Sequence, residues 1–170
     1  MLLGAYQRES ATLPEVMLRL PRAMAEAERM RAEAMQLLAF VGIAERAHDL
    51  ASETPHGQQR LVEIARALMR GARLIMLDEP AAGLSMTELD RLEELIKRIL
   101  ALGATVVIVE HHLDLVASIA SHVTVLDRGQ VLAQGAPGVV FADPAVMAAY
   151  MGDRALQKTP EAAADAGGEA

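Results

Sequence analysis

The sequence contains no cysteine and no tryptophan, and only two tyrosines and two phenylalanines. The absence of cysteine excludes a disulfide framework and any thiolate metal site. The scarcity of rings and the net charge of -7 disfavour nucleic-acid binding, which needs a basic surface and stacking aromatics. No apolar run approaches the roughly 18 residues that a membrane-spanning helix requires. We expect one globular domain and a tail, because 52% of the 170 residues are hydrophobic.

The first part of the sequence predicts helices. Residues 22–40 contain neither glycine nor proline and are rich in alanine, methionine, glutamate and arginine, which favour helix. Apolar residues recur with a helical period at Met30, Ala34, Leu37, Leu38 and Val41. We interpret this stripe as the packed face of a helix that ends near Gly42.

The middle of the sequence alternates between helices and short apolar runs. Helices are predicted over 58–70, 87–102 and 113–120, strands over 74–77 and 105–109, and a hairpin over 123–126 and 131–133 with Gly129 at its turn. Two short helices are predicted near Val139 and over 146–151. Continuous apolar strands separated by helices indicate an α/β fold with a parallel sheet buried on both faces.

Two adjacent carboxylates, Asp78 and Glu79, follow the first predicted strand, and Glu110 and His111 follow the next. Open parallel sheets bind ligands at the carboxyl ends of their strands, so we expect these tips to meet. A solvated loop or a helix cap is the alternative. Because four apolar residues lead directly into Asp-Glu-Pro, we favour nucleotide hydrolysis. Asp78 would order a magnesium ion through a water, Glu79 would polarise the attacking water, and His111 would reach the γ-phosphate.

A Gly-Gln pair, Gly57 and Gln58, opens the helix that precedes the first strand. The unpaired N–H groups and positive dipole end of a helix N-terminus suit a phosphate group. Taken alone, the pair is better explained by an ordinary junction between a loop and a helix.

Taken together, these elements resemble the ATP-binding subunits of ABC transporters. "TPHGQQR" stands at the position of the signature loop, "LIMLDEP" at Walker B, "AGLS" at the D-loop and "VEHHLDLV" at the switch histidine. "LDEPAAGL", "GQQRLVEIARALM" and "DPAVMAAYMG" are most similar to the branched-chain amino acid importer subgroup. The resemblance covers nearly all of residues 1–152.

This resemblance implies a partial P-loop NTPase fold, in which a helical subdomain is followed by a mainly parallel β-sheet with flanking helices. It divides the chain into a helical portion (1–53), the signature, Walker B and switch-histidine part of the ATPase core (54–135), C-terminal helices (136–152) and a disordered tail (153–170). It also implies roles for single residues. Asp78 would bind magnesium, Glu79 and His111 would be catalytic, and the residues contacting ATP would be His56, Gly57, Gln58 and Ser85.

The sequence departs from the family pattern at several positions. Pro55 stands where the signature has a serine and offers neither a hydroxyl nor an N–H group. Ser85 and His112 each stand where many members have aspartate. None of these departures removes one of the implied catalytic groups.

A larger departure is the absence of a P-loop, G-x-x-x-x-G-K-S/T. The chain has only two lysines, Lys97 and Lys158, and neither follows a glycine. ATP and Mg²⁺ would therefore need a Walker A region located upstream or in a partner subunit. We expect the isolated chain to lack ATPase activity. We also expect it to be poorly stable, because apolar surface on 74–77 and 105–109 would lack its cover.

The resemblance implies a truncated ATP-binding subunit that energises uptake of branched-chain amino acids or related solutes. Its implied partners are a second ABC ATPase subunit, identical or different, transmembrane permease subunits and, indirectly, a solute-binding protein, but no nucleic acid. It would lie in the cytoplasm at the inner face of the plasma membrane. An alternative is a non-catalytic module that donates a signature loop to a full-length ABC ATPase.

Two further hypotheses fit less well. An ABC-type ATPase of DNA repair would carry a long coiled coil before the signature, and no sustained heptad repeat is present. A metal hydrolase using Glu110, His111 and His112 is disfavoured because neighbouring residues of a strand point to opposite faces.

Overall fold

The computed structural model of the protein describes residues 11–50 and 54–157. Helices and strands alternate along the described chain much as the sequence predicts. In chain order they are α1 (Leu13–Met17), α2 (Pro21–Phe40), a 3-10 helix (Ala44–Arg46), α3 (His56–Met69), β1 (Leu74–Asp78), α4 (Met86–Ala101), β2 (Thr105–Val109), α5 (Leu113–Ile119), β3 (Val123–Asp127), β4 (Gln130–Gly135), α6 (Pro137–Val140) and α7 (Pro144–Gln157). The predicted α/β class is confirmed, and no described helix combines the length and apolarity needed to cross a membrane.

The fold divides into two compact units between His111 and His112. In the first unit, α2 packs against α3 through the predicted apolar stripe. Ala34 and Met69 are buried against each other, and Met30 and Leu37 cover them. The helical period of the sequence therefore identified the packed face of α2 correctly.

The parallel sheet of the first unit comprises β1 and β2, which pair with Leu74 opposite Thr105 and Asp78 opposite Val109. Helix α4 connects the two strands and packs against β2. Its buried residues are spaced i, i+3, i+4 and i+7, as expected for one face of a helix: Leu92, Leu95, Ile96 and Ile99. Gly103, at φ 81°, follows the helix in the left-handed conformation that favours glycine and allows the chain to turn into β2.

The two faces of this sheet differ in burial. Ile75 is 4% exposed, whereas its neighbour Met76 is 74% exposed. Leu74, Val107 and Val109 are also exposed and lie on the Met76 face by strand register. The prediction of a sheet buried on both faces is therefore wrong. An apolar run does not reveal which of its two faces has a packing partner, whereas the expected exposure of apolar strand surface is confirmed.

In the second unit, β3 and β4 form a separate antiparallel pair. Their two-residue turn has positive φ at both positions, 47° at Arg128 and 80° at Gly129, as a type I′ hairpin turn requires. The predicted hairpin is confirmed. Helix α6 packs against both strands and α7 packs against β4.

Helix α7 continues through Gln157. The predicted disorder is therefore wrong for residues 153–157, of which the last four, arginine, alanine, leucine and glutamine, all favour helix. The remainder of the predicted tail, residues 158–170, lies outside the described part of the chain.

Candidate functional site

The polar tips of the two parallel strands lie side by side. Asp78 pairs with Val109 in the strand register, and the Glu79 N–H group donates to the Val109 carbonyl at 2.9 Å. Asp78 and Glu79 therefore leave the sheet at the same edge as Glu110 and His111. The expectation that the strand tips meet is confirmed. The side chains of Asp78, Glu79 and His111 are all exposed at this edge.

The backbone of Glu79 adopts an unusual conformation. Its φ of 42° lies in the left-handed region, which costs a non-glycine residue roughly 1–2 kcal/mol. Two hydrogen bonds hold it there: its N–H group binds the Val109 carbonyl, and its carbonyl accepts from the Ala82 N–H group at 3.2 Å. Strained residues of this kind persist where the surroundings fix them, and they cluster at functional sites.

Glu110 contributes a buried carboxylate at the same edge, with its side chain 0% exposed. One oxygen accepts from the Ala81 N–H group at 2.7 Å, and the other accepts from the His111 N–H group at 3.1 Å. The His111 ring is 57% exposed, and its Nδ1 atom lies 4.0 Å from Glu110 Oε2. Glu110 therefore organises the backbone here, whereas the ring of His111 faces solvent.

The reason given above against a metal hydrolase is wrong. Glu110, His111 and His112 follow β2 rather than extend it, so the alternation of strand side chains does not apply. One ligand atom from each of these consecutive residues lies within 4.8 Å of the others. The full burial of Glu110 and its bonds to two N–H groups indicate that its carboxylate has a structural role.

Helix α3 begins with the predicted signature residues. Pro55 is its N-cap and provides no side-chain cap. The N–H groups of Gln58 and Gln59 bind the Pro55 carbonyl at 2.9 and 3.0 Å. The N–H groups of His56 and Gly57 lie in the first turn, before these first hydrogen bonds of the helix. The Oε1 atom of Gln58 is buried without a hydrogen-bond partner. The side chain of His56 lies outside the described part of the chain.

The start of α3 contacts the loop between β1 and α4. A Cβ atom at Gly57 would lie 3.1 Å from a methyl group of Leu84, so the close approach requires glycine or a shift of Leu84. An open cleft of about 510 Å³ adjoins this contact, lined by Gly57, Arg60, Gly83, Leu84 and neighbouring residues. The structure thus brings the predicted signature and D-loop segments together.

Ser85 is the N-cap of α4. Its hydroxyl donates to Glu88 Oε2 at 2.7 Å and accepts from the Glu88 N–H group, while the Ser85 N–H group donates to the same carboxylate at 2.9 Å. These bonds form a capping box. The bond from the Ser85 hydroxyl, followed by that from its N–H group, lowers the pKa of the Glu88 carboxyl. The described contacts of Ser85 are structural, and its contact with ATP stays a prediction.

The sequence-based reasoning named Glu110 at the strand tip but missed its structural role, and it did not single out Arg60. Arg60 of α3 donates from Nη1 to the carbonyls of Pro80 and Ala82, at 2.5 and 3.2 Å. Glu110 holds the intervening Ala81 N–H group. A carboxylate at the end of an apolar strand was the available signal for Glu110. The position of Arg60 at the end of the "TPHGQQR" segment was the available signal for that residue.

Family models match two segments of the chain. The ABC transporter model matches residues 3–82, and the branched-chain amino acid ATP-binding cassette transporter model matches residues 130–155. The first match includes the start of α3 and the Asp78-Glu79 strand tip, and the second includes β4 and most of α7.

Similar proteins agree with these matches. The high-affinity branched-chain amino acid transport ATP-binding protein BraF of Pseudomonas aeruginosa is 41% identical over 130 residues, which cover 74% of this chain and 51% of BraF. The corresponding LivG protein of Escherichia coli is 38% identical over 114 residues, covering 66% of this chain and 45% of LivG. The chain therefore spans about half the length of these relatives.

A solved structure supports the same relationship. An ATP-binding cassette of an ABC transporter in its ADP conformation is similar, with a TM-score of 0.70 and 30% identity, over 89% of this chain and 61% of that one. The family matches, the relatives and this structural likeness together show that the chain is similar to the ATP-binding proteins of ABC transporters, and in particular to those of the branched-chain amino acid subgroup.

Proposed function

We propose that the chain supplies the signature and Walker B parts of an ATP-hydrolysing subunit that energises uptake of branched-chain amino acids or related solutes. The observation that carries this proposal is the shared strand edge. There the register of β1 and β2 brings Asp78 and Glu79 beside the segment that bears His111. The names of BraF and LivG, as branched-chain amino acid transport ATP-binding proteins, support the solute class.

Each of the three residues has a proposed role. The exposed carboxylate of Asp78 provides the oxygen donors that magnesium prefers, and magnesium binds through one or two carboxylates while keeping several waters. When bound, magnesium would neutralise negative charge on the phosphates. Glu79 accepts a proton from the attacking water, and the exposed ring of His111 contacts the γ-phosphate.

The start of α3 has the complementary role of contacting the phosphates of ATP. The first-turn N–H groups of His56 and Gly57 and the positive end of the helix dipole favour an anion. Gln58 contributes its side chain, and Ser85 contributes the edge of the D-loop. We propose that ATP lies between this helix start and a P-loop on the facing subunit of a head-to-tail dimer.

The P-loop must come from outside these 170 residues, since neither lysine follows a glycine. It belongs either to the same, longer polypeptide or to a partner subunit. Our proposal is the first arrangement, with segments 1–53, 54–135 and 136–152 as the helical, core and C-terminal parts. The second arrangement makes the chain a signature donor. In both, permease subunits hold the protein at the inner face of the membrane and receive solute from a binding protein.

A test begins with the DNA upstream of the Met1 codon. An in-frame G-x-x-x-x-G-K-S/T motif with no intervening stop would support the first arrangement. Steady-state phosphate release is then measured for the encoded polypeptide. Glu79→Gln should lower the rate by about 10²–10⁴-fold, as expected for loss of a general base. Glu94→Gln, an exposed carboxylate on α4, should leave the rate unchanged.

The 170-residue chain by itself should release no phosphate. Turnover by this chain that disappears in Glu79→Gln would contradict the need for a P-loop. Mixing the chain with an ATPase subunit that carries a P-loop distinguishes the two arrangements. If the chain only donates a signature, Gly57→Asp abolishes any stimulation and Glu79→Gln has no effect. If stimulation is insensitive to both variants, neither arrangement is correct.

A further inference from the structure

Two charged side chains hold the loop that follows Glu79 from different elements of the first unit. Arg60 reaches from α3 and donates to the carbonyls of Pro80 and Ala82 at 2.5 and 3.2 Å. Glu110, at the end of β2, accepts from the Ala81 N–H group at 2.7 Å. Residues 80–82 are here called the 80–82 loop. Arg60 and Glu110 thus bind opposite ends of one peptide group, the Pro80 carbonyl and the Ala81 N–H, and Arg60 also binds the Ala82 carbonyl.

The burial of these groups makes the arrangement sensitive to change. The Glu110 side chain is 0% exposed, and Ala81 is 2% exposed. Hydrogen bonds with a charged partner are shorter and stronger than neutral ones. A buried carboxylate that loses its donors is strongly destabilised, so Glu110 and the Ala81 N–H group fix each other's position.

The same carboxylate also touches the next residue of the chain. Its second oxygen accepts from the His111 N–H group at 3.1 Å. The 80–82 loop continues directly from Glu79, whose left-handed φ of 42° needs external support. A continuous path of contacts therefore runs from α3 through Arg60, the 80–82 loop and Glu110 to the backbone of His111.

We propose that Arg60 and Glu110 are positioning residues that act as one unit on the 80–82 loop. Through the loop they set the orientation of Glu79 and His111 according to the position of α3. The meaning of this coupling for ATP hydrolysis rests on the function proposed above. The coupling itself is a property of this chain and is measurable without nucleotide.

The test is residue-resolved amide hydrogen exchange on the full chain, with each rate expressed relative to Ile99 in α4, which is fully buried. Glu110→Ala should accelerate exchange at Ala81 at least about tenfold, because a strong hydrogen bond is lost. Arg60→Met should accelerate exchange at Ala81 by about threefold or more, although Arg60 does not bind that N–H group. Arg60→Lys, which keeps a cationic donor, should restore most of the protection.

Glu110→Gln provides a second test, because it retains the shape of the side chain. Its amide oxygen still accepts from Ala81, whereas its NH₂ group faces the His111 N–H group. Protection should therefore persist at Ala81 and fall at His111. As matched controls, Arg66→Met on the exposed face of α3 and Glu94→Gln on α4 should change neither rate by more than about twofold.

The double variant Arg60→Met with Glu110→Ala tests whether the two residues act together. If both act through one loop, its acceleration at Ala81 is smaller than the product of the single accelerations. The proposal would be overturned if the acceleration in the double variant equals the product of the two single accelerations. It would also be overturned if Arg60→Met changes exchange at neither Ala81 nor His111. If the exchange coupling is present and Glu79→Gln leaves ATP turnover intact, the proposed function fails while this inference stands.

Discussion

The two faces of β1 make a quantitative prediction about stability. Ile75 is 4% exposed and Met76 is 74% exposed, although they are neighbours on one strand. Ile75→Ala removes a fully buried side chain and should lower the free energy of unfolding by about 2–4 kcal/mol. Met76 buries only about a quarter of its surface. Full burial of a methionine is worth about 1.5–3 kcal/mol, so Met76→Ala should cost about 0.4–0.8 kcal/mol.

The assay is equilibrium unfolding in urea of the wild type and the two alanine variants, at several protein concentrations. Equal slopes against urea would confirm that the variants differ in stability rather than in the surface exposed on unfolding. Each variant places alanine in the same strand, so the strand and the introduced residue are constant while the face of the sheet changes.

Self-association of the chain should depend more strongly on Met76 than on Ile75. The Met76 face also carries Leu74, Val107 and Val109, all exposed, and a contiguous apolar strand surface promotes association. Met76→Lys should reduce concentration-dependent self-association in sedimentation, with little loss of stability. If Met76→Ala costs as much as Ile75→Ala, or Met76→Lys leaves self-association unchanged, the reasoning about an uncovered sheet face is refuted.

Two further predictions concern the loop from Glu79 to α4. Glu79→Gly should be more stable than Glu79→Ala by about 1 kcal/mol in urea unfolding, because glycine adopts the left-handed φ without steric penalty; equal stability would argue against strain. Ser85→Ala should cost about 1 kcal/mol at neutral pH through loss of the cap. Because the folded-state pKa of Glu88 is lowered, its contribution is present above the unfolded pKa and is lost as the pH falls through the folded pKa. The deficit should therefore shrink in acid, and a pH-independent deficit would contradict this role for Glu88.

Local sequence patterns predicted the elements of the fold well. The observed bounds of β2 coincide with the predicted strand at 105–109, and β1 extends the predicted one by a single residue, Asp78. These elements are bounded by glycines that stop the preceding helices, and both Gly71 and Gly103 have positive φ. Such signals lie within a few residues of one another, so the sequence expresses them directly.

The contacts that were not predicted join residues that are far apart in the sequence. Arg60 and Pro80 are 20 positions apart, and Ala81 and Glu110 are 29 positions apart. Each of these contacts joins a side chain to a backbone group, and the residue type of the backbone partner does not reveal the contact. The uncovered face of the sheet was not predicted for a related reason, because the same apolar residues suit a strand buried on one face or on both.

The strain at Glu79 and the bonds on the 80–82 loop explain each other. A left-handed glutamate is stable only if the chain is held on both sides of it. The Val109 carbonyl holds the N–H group before the turn, and Arg60 and Glu110 hold the peptide groups after it. Glu110 can do so because the parallel register places the end of β2 beside that of β1, and its burial prevents water from competing for the Ala81 N–H group. The strand register therefore does more than bring two polar tips together. It provides the buried acceptor that helps to hold an exposed carboxylate in a conformation that the isolated loop would disfavour.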